Sequence, residues 1–257
     1  MGKIVLNRKL TKIVGKFNVE HKLIQEGDRV LVGLSGGKDS LALVHILKYM
    51  QQHAPFKFEF EAYTINYGMP NENYNYLEKH CREHNIKHTI YKSNIYRVAN
   101  STIRENSSFC SYFSRMRRGA LYSFAVENGF NKVALGHHFD DMVESFFMNM
   151  FYNGTIRAMA PIYKTSKGLY LIRPMILVRE RQLISFAKEN NLETIGDEAC
   201  PAMLKKIKIP YARAEIKSWL SGLERERRGV FKMIQASFRH IHDDTLLDSK
   251  RWIRDEI

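Results

Sequence analysis

Arg29-Val30-Leu31-Val32-Gly33-Leu34-Ser35-Gly36-Gly37-Lys38-Asp39-Ser40 decides how this chain is read. The aliphatic, β-branched run Arg29 to Leu34 follows the turn pair Gly27-Asp28 and reads as a short buried strand. After the loop, Leu41, Leu43, Val44, Ile46, Leu47 and Met50 recur at helical spacing. Strand, glycine loop, helix is the order that aims unblocked backbone N–H groups at one spot above a helix N-terminus. That spot carries partial positive charge and attracts phosphate. Lys38 adds a full charge, and Asp39 with Ser40 suits Mg2+ or its waters. A plain glycine turn capped by serine is the simpler reading of the same residues. The Walker pattern G-x-x-x-x-G-K-[ST] is not met here.

Composition narrows the class. With 44% hydrophobic residues a packed core is within reach, and no apolar run approaches the roughly 18 residues of a membrane span. The N-terminus lacks an apolar signal core, so a cytoplasmic protein without membrane attachment is expected. The net charge of +13 favours a polyanionic partner, nucleic acid above all. Three cysteines, Cys81, Cys110 and Cys200, with no C-x-x-C pair, argue against a disulfide framework and against a zinc ribbon. Cys81 reads as structural.

Residues 1–28 form a basic segment whose Leu10, Ile13, Val14 and Phe17 predict a helix. Strands are expected at Phe58 to Ile65, Lys87 to Tyr91, Lys132 to Gly136 and Gly168 to Arg173, five in all with the first. Residues 94–108 read as irregular; Cys110 precedes Ser111–Gly119, and Met116, Ala120, Leu121, Phe124 and Ala125 predict one long helix ending at Glu127. Its Arg115, Arg117 and Arg118 cannot all share one face, and burying three charges is too costly. Phosphate or solvent must receive them. Gly136-His137-His138-Phe139-Asp140-Asp141 closes the fourth strand and opens a helix, where Asp141 and Glu144 fit a helix cap and box. Strand ends are also where doubly wound sheets place their sites. A basic run holding Lys205, Lys206 and Lys208 leads into two tail helices. The expected division is 1–28, an α/β domain over 29–200, and a helical extension over 201–257.

Four blocks, Ser35–Ser40, Cys110 through Gly119, Gly136–Asp141 with its helix, and Arg173-Pro174, together resemble the tRNA 2-thiocytidine synthetases, the TtcA-type branch of the PP-loop ATP pyrophosphatases. The resemblance implies a doubly wound, mostly parallel five-stranded sheet with helices on both faces and a small C-terminal helical extension. It implies an ATP-dependent enzyme that adenylates the C2 oxygen of a tRNA pyrimidine, a cytidine, and puts sulfur in its place. Leu34, Ser35, Gly36, Gly37, Lys38, Asp39, Ser40, Ile65, Gly136 and His137 would then bind ATP. Asp39 and Asp141 would hold Mg2+. Lys38, Asp141, Arg117, Cys110 and Cys200 would be catalytic, and Arg115, Arg118, Lys205 and Lys206 would meet tRNA. The implied partners are tRNA and a sulfur donor such as a cysteine desulfurase or sulfur carrier, and a homodimer is in keeping with the family.

The chain departs from that family at two positions. The family carries two C-x-x-C pairs, three of whose cysteines bind a [4Fe-4S] cluster, whereas Phe113 and Met203 stand at the second positions here. A phenyl ring is no ligand and a thioether is a weak one. The cluster is therefore expected to be absent, with Cys110 and Cys200 working as a persulfide and its resolving thiol. Two alternatives remain: both cysteines are relics, or His137 or His138 completes a cluster. Other functional classes are a PP-loop ligase or amidotransferase that needs no cysteine, and a non-catalytic ATP-dependent RNA-binding protein.

Overall fold

The computed structural model describes residues 4–69, 72–102, 109–195 and 211–248. They divide into two compact units, 1–142 with 158–209, and 143–157 with 210–257. In the first unit a six-stranded sheet runs β3-β2-β1-β4-β6-β5, from β1 (Arg29–Gly33), β2 (Glu59–Asn66), β3 (His88–Lys92), β4 (Lys132–Ala134), β5 (Ile162–Lys164) and β6 (Tyr170–Ile172). All neighbours pair in parallel except β5 with β6. The five strands expected from sequence are present. The sixth, β5, was not expected: it is a three-residue antiparallel edge strand, partly buried at Ile162 and exposed at Tyr163 and Lys164, with too little apolar pattern to announce itself.

Alternate strand residues face opposite sides, as the period of two demands. Val30, Val32, Ala62 and Ala134 join one core with α1 (Arg8–His21), α2 (Lys38–His53), α3 (Asn75–Glu83) and α7 (Glu180–Glu189). Leu31, Tyr63 and Val133 join a second core with α4 (Ile95–Thr102) and α5 (Phe109–Glu127). Helices thus cover both faces. Leu10 and Val14 of α1 are buried in the first of these cores, so the basic N-terminal segment and the sheet share one unit. Helix α4 corrects the irregular reading of 94–108 over its first part, Ile95–Thr102, and residues 103–108 lie outside the described residues. Its polar Asn and Ser masked a short amphipathic turn that buries Ile95 and Ala99.

The sixth helix, α6 (Phe139–Asn153), starts in the first unit, and its remainder belongs to the second together with α8 (Tyr211–Glu226) and α9 (Val230–Ser237). Within that second unit, Trp219 meets Phe147 edge-on at 5.0 Å and Phe146 meets Phe238 at 5.0 Å. Arg213 Nε donates to Glu144 Oε2 at 2.8 Å, and Tyr152 Oη donates to Glu215 at 2.7 Å.

Candidate phosphate-binding and catalytic site

Connections leave β1 toward β2 and β3 on one side, while β4, β6 and β5 lie on the other. The crevice between the carboxyl ends of β1 and β4 is therefore the switch point at which such sheets hold ligands. The register Val32 to Ala134 brings two turns there, residues 34–38 after β1 and residues 135–138 after β4. They approach closely. A Cβ on Gly136 would sit 3.1 Å from the Asp39 carbonyl carbon and 3.1 Å from the Ser40 nitrogen, which is why this position is glycine.

The first turn is shaped from within. Ser40 Oγ accepts from the Ser35 N–H at 3.2 Å and donates to the Gly37 carbonyl at 2.9 Å. Leu34 is tied to β2 by its N–H to the Tyr63 carbonyl at 2.9 Å, and its carbonyl accepts from Thr64 Oγ1 at 2.8 Å. Gly36 has φ +88° and faces Tyr76 Oη and Ile195, where a Cβ would clash. Among the described residues, no hydrogen bond takes the amides of Gly36, Gly37, Lys38, Asp39 or Ser40. Five donors at a helix N-terminus without acceptors suit the oxygens of a polyphosphate.

Charged groups converge on the same place. Lys38 Nζ lies 3.2 Å from Asp39 Oδ2 and 3.1 Å from Glu180 Oε1. Burial works to lower the Lys38 pKa, but the carboxylates of Asp39 and Glu180 outweigh it and hold the ammonium above its ordinary value. Asp39 is shifted upward, chiefly by burial, against the pull of His138 and Lys38. Its Oδ1 is buried without a hydrogen-bond partner among the described residues. Such an oxygen suits a cation or its water.

The second turn has a different construction. His138 N–H donates to Asp141 Oδ2 at 3.0 Å, and Asp141 N–H donates to His138 Nδ1 at 3.3 Å. This reciprocal pair is a capping box, placed one turn earlier than Asp141 with Glu144, because α6 begins at Phe139 and makes Asp141 its third residue. Asp140 is gripped by Arg179, whose Nε and Nη2 reach Oδ1 at 3.1 and 3.0 Å, and it accepts the Glu180 N–H at 2.7 Å. Through this clamp the start of α7 presents Glu180 to Lys38. Neither Glu180 nor Arg179 was expected from sequence. Each lies about 140 residues from the loop, and nothing local marks it.

His137 Nδ1 accepts from Arg173 Nε at 3.2 Å. Arg173 lies over the Tyr163 ring at 5.5 Å and is lowered in pKa, first by burial and also by the like charge of Arg118. Arg115, Arg117 and Arg118 are all exposed on α5. Phe113 is buried in the second core, edge-on to Tyr67 at 4.7 Å. Ile65 is buried near the end of β2 in that same core. Cys110 stands in the first turn of α5, and Cys81 is buried with its thiol pushed up to about 12 by desolvation. Cys200, Met203, Lys205 and Lys206 lie outside the described residues.

A mostly parallel sheet with helices on both faces and acceptor-free loop amides at its switch point defines a doubly wound α/β protein. A family model described as a PP-loop domain matches residues 3–216. The chain is 38% identical over 242 residues to the tRNA-cytidine(32) 2-sulfurtransferase of Geobacter metallireducens, covering 94% of this chain and 93% of the relative. With the enzyme of that name from Syntrophotalea carbinolica the identity is 41% over 191 residues, 74% of each chain. The fold resembles the U34-tRNA thiolase NcsA from Methanococcus maripaludis, solved with its [4Fe-4S] cluster, with TM-score 0.71 and 21% identity over 91% of this chain and 79% of that one. The chain belongs to the PP-loop family, and within it to the family of the tRNA-cytidine(32) 2-sulfurtransferases.

Proposed function

We propose that this chain is a tRNA sulfurtransferase that adenylates the C2 oxygen of a cytidine with ATP and exchanges that oxygen for sulfur carried by Cys110 and Cys200. The observation carrying the reading is the set of acceptor-free amides from Gly36 to Ser40 beside Lys38 and the orphaned Asp39 oxygen. The activity named for relatives at 38% and 41% identity supplies the substrate class.

In this reading the cytidine oxygen attacks the α-phosphorus, and pyrophosphate leaves into the amide cradle. Lys38 and the α2 N-terminus stabilise the charge that develops there. Asp39 and Asp141 would hold Mg2+, which supplies further neutralisation of the phosphates. Arg173 orients His137 at the rim, while the exposed Arg115, Arg117 and Arg118 present charge to the tRNA backbone.

The terminal sulfur of a cysteine persulfide then attacks C2, and AMP departs with the former cytidine oxygen. The second cysteine attacks the inner sulfur of the resulting S–S bond, leaving sulfur on the base and a Cys110–Cys200 disulfide. A dithiol reductant and a sulfur donor restore the persulfide for the next turnover. Phe113 offers a cluster no donor and is packed in an aromatic core, which favours the two-cysteine route.

Mass spectrometry of nucleosides from tRNA incubated with ATP, a sulfur donor and the enzyme tests this. Cys110→Ser and Cys200→Ser are each expected to abolish 2-thiocytidine while leaving ATP binding intact. Full thiolation by both variants would overturn the persulfide route. No pyrophosphate release with tRNA present would overturn the enzyme reading itself.

A further inference from the structure

Away from the glycine loop, three imidazoles converge on the outer side of α2. His45 lies on α2, while His80 in the last turn of α3 and His84 at its C-cap are four residues apart, a spacing that puts both on one face. His45 Nε2 and His80 Nε2 are 2.7 Å apart. The ring centroids of His84 lie 5.0 Å from His45 and 4.6 Å from His80. One ring nitrogen from each residue falls within a sphere in which all pairs are 4.8 Å apart or less. His45 is 4% exposed, at the inner end of the group, and His80 and His84 border an open cleft of about 390 Å³ that Glu83 and Glu193 also line.

We propose that His45, His80 and His84 form a binding site for one divalent transition-metal ion of the zinc class, with the fourth position turned toward the cleft and filled by water or by Glu83. Three imidazoles with one open position form a familiar zinc donor set. At Zn–N bonds of about 2.0–2.1 Å, tetrahedral nitrogens stand roughly 3.3 Å apart, so His45 and His80 need separate by only about 0.6 Å. The charge state suits the ion as well. Burial and mutual proximity push His45 down to about 3 and His80 down to about 4, and burial lowers His84. Neutral imidazole is the form that binds a metal, and these shifts run in that direction. Glu83 and Glu193 contribute negative charge at the mouth. Neither Cys110, Cys200 nor phosphate chemistry takes part in this site, so it stands or falls independently of the proposed reaction.

Its consequence is mechanical. Helix α2 begins in the glycine loop at Lys38, and α3 carries Tyr76, whose hydroxyl reaches toward the Gly36 carbonyl at 3.4 Å. An ion joining His45 to His80 and His84 would pin α3 to α2 and hold Tyr76 over that loop.

The test uses the full-length, tag-free protein in a Cys110→Ser, Cys200→Ser background, which removes the competing thiolates there, after chelator treatment. Titration with Co2+ is expected to saturate at one equivalent with the visible absorption of a tetrahedral nitrogen site, and Zn2+ is expected to displace it. His84→Ala, at a half-exposed position that tolerates truncation, is expected to abolish the absorption while circular dichroism stays native. At about 100 times its dissociation constant, Zn2+ should raise the Tm by roughly 5–10 °C in the parent and not in His84→Ala. No saturable equivalent in the parent, or equal binding in His84→Ala, would overturn the site and leave a hydrogen-bonded His45–His80 pair packed against His84.

Discussion

Two helices begin side by side at the switch point, and their first turns are finished in opposite ways. At α2 the amides of Gly36 to Ser40 have no acceptor among the described residues. At α6 the amides of His138, Phe139 and Asp141 are taken by Asp141, Val178 and His138. Both ends carry partial positive charge. One offers it outward, and the other satisfies it with its own carboxylate. The contrast separates two arrangements that sequence pattern alone treats alike: the α2 end is left open to an anion, as the proposed reaction requires, while the α6 end is closed by its own acid groups.

The strongest way to break this contrast is Lys38→Ala. If the α2 end stabilises departing pyrophosphate, single-turnover thiolation should fall by about 10²–10³-fold, as when one preorganised donor to a developing charge is removed. Removing the α6 carboxylate as a mere cap would have no such effect on chemistry. Gly136→Ala probes the contact between the two turns. Its Cβ would press on the Asp39 and Ser40 backbone at 3.1 Å, where no flexible side chain can yield. The expected result is about 10²-fold lower kcat/KM from misplaced groups, with a stability loss of about 1–3 kcal/mol seen in urea melts.

Asp141 sharpens the comparison because it does two things. Asp141→Ala removes the box and should lower stability by about 1 kcal/mol, a Tm drop of roughly 2–4 °C. Asp141→Asn keeps an acceptor for the His138 N–H and should recover most of that stability. Thiolation is expected to stay low in both. Recovery of activity together with stability in Asp141→Asn would show that the residue is a cap and nothing more.

The same two turns show how far sequence carried the reading. The strand–loop–helix around Gly36 was legible because it is local: aliphatic run, glycines, helical stripe within some twenty residues. The stretch Gly136–Asp141 after β4 was legible as a site for the same reason. What closes the site was not. Arg179 and Glu180 reach Asp140 and Lys38 only because β6 lies beside β4 and delivers the start of α7 there. Strand β5 and helix α4 were missed because each has little apolar pattern of its own, three residues at a sheet edge and two buried side chains in a polar stretch. The histidine trio escaped for a related reason. Its members come from two helices and pair across 35 and 39 positions, with no spacing that a metal motif would flag.

Asp39 tests the electrostatic side through pH. Its carboxyl is raised above the ordinary 3.8 mainly by burial, so ionisation opposes folding. The sign follows from linkage. This penalty is absent below the unfolded value, grows between the unfolded and folded values, and persists at neutral pH. Asp39→Asn should therefore raise the Tm of the nucleotide-free protein on the order of 1–2 °C at pH 7 and leave it unchanged near pH 3. An unchanged or lower Tm at pH 7 would mean that Lys38 and His138 repay the burial in full.

The smallest effect belongs to Glu180. Its carboxylate holds Lys38 in the free protein and competes with any phosphate that the lysine must meet. If the α2 end exists to receive an anion, Glu180→Gln releases the ammonium and should tighten binding of a non-hydrolysable ATP analogue by about 2–5-fold, a gain matching a partly exposed ion pair of under 1 kcal/mol. If Glu180 instead positions Lys38 for the phosphates, the same change weakens binding by a similar factor. Calorimetry at two salt concentrations separates these cases from general charge effects. Competition at the loop weakens little with salt because the pair is mostly buried, whereas an unspecific gain of positive charge fades as the ionic strength rises.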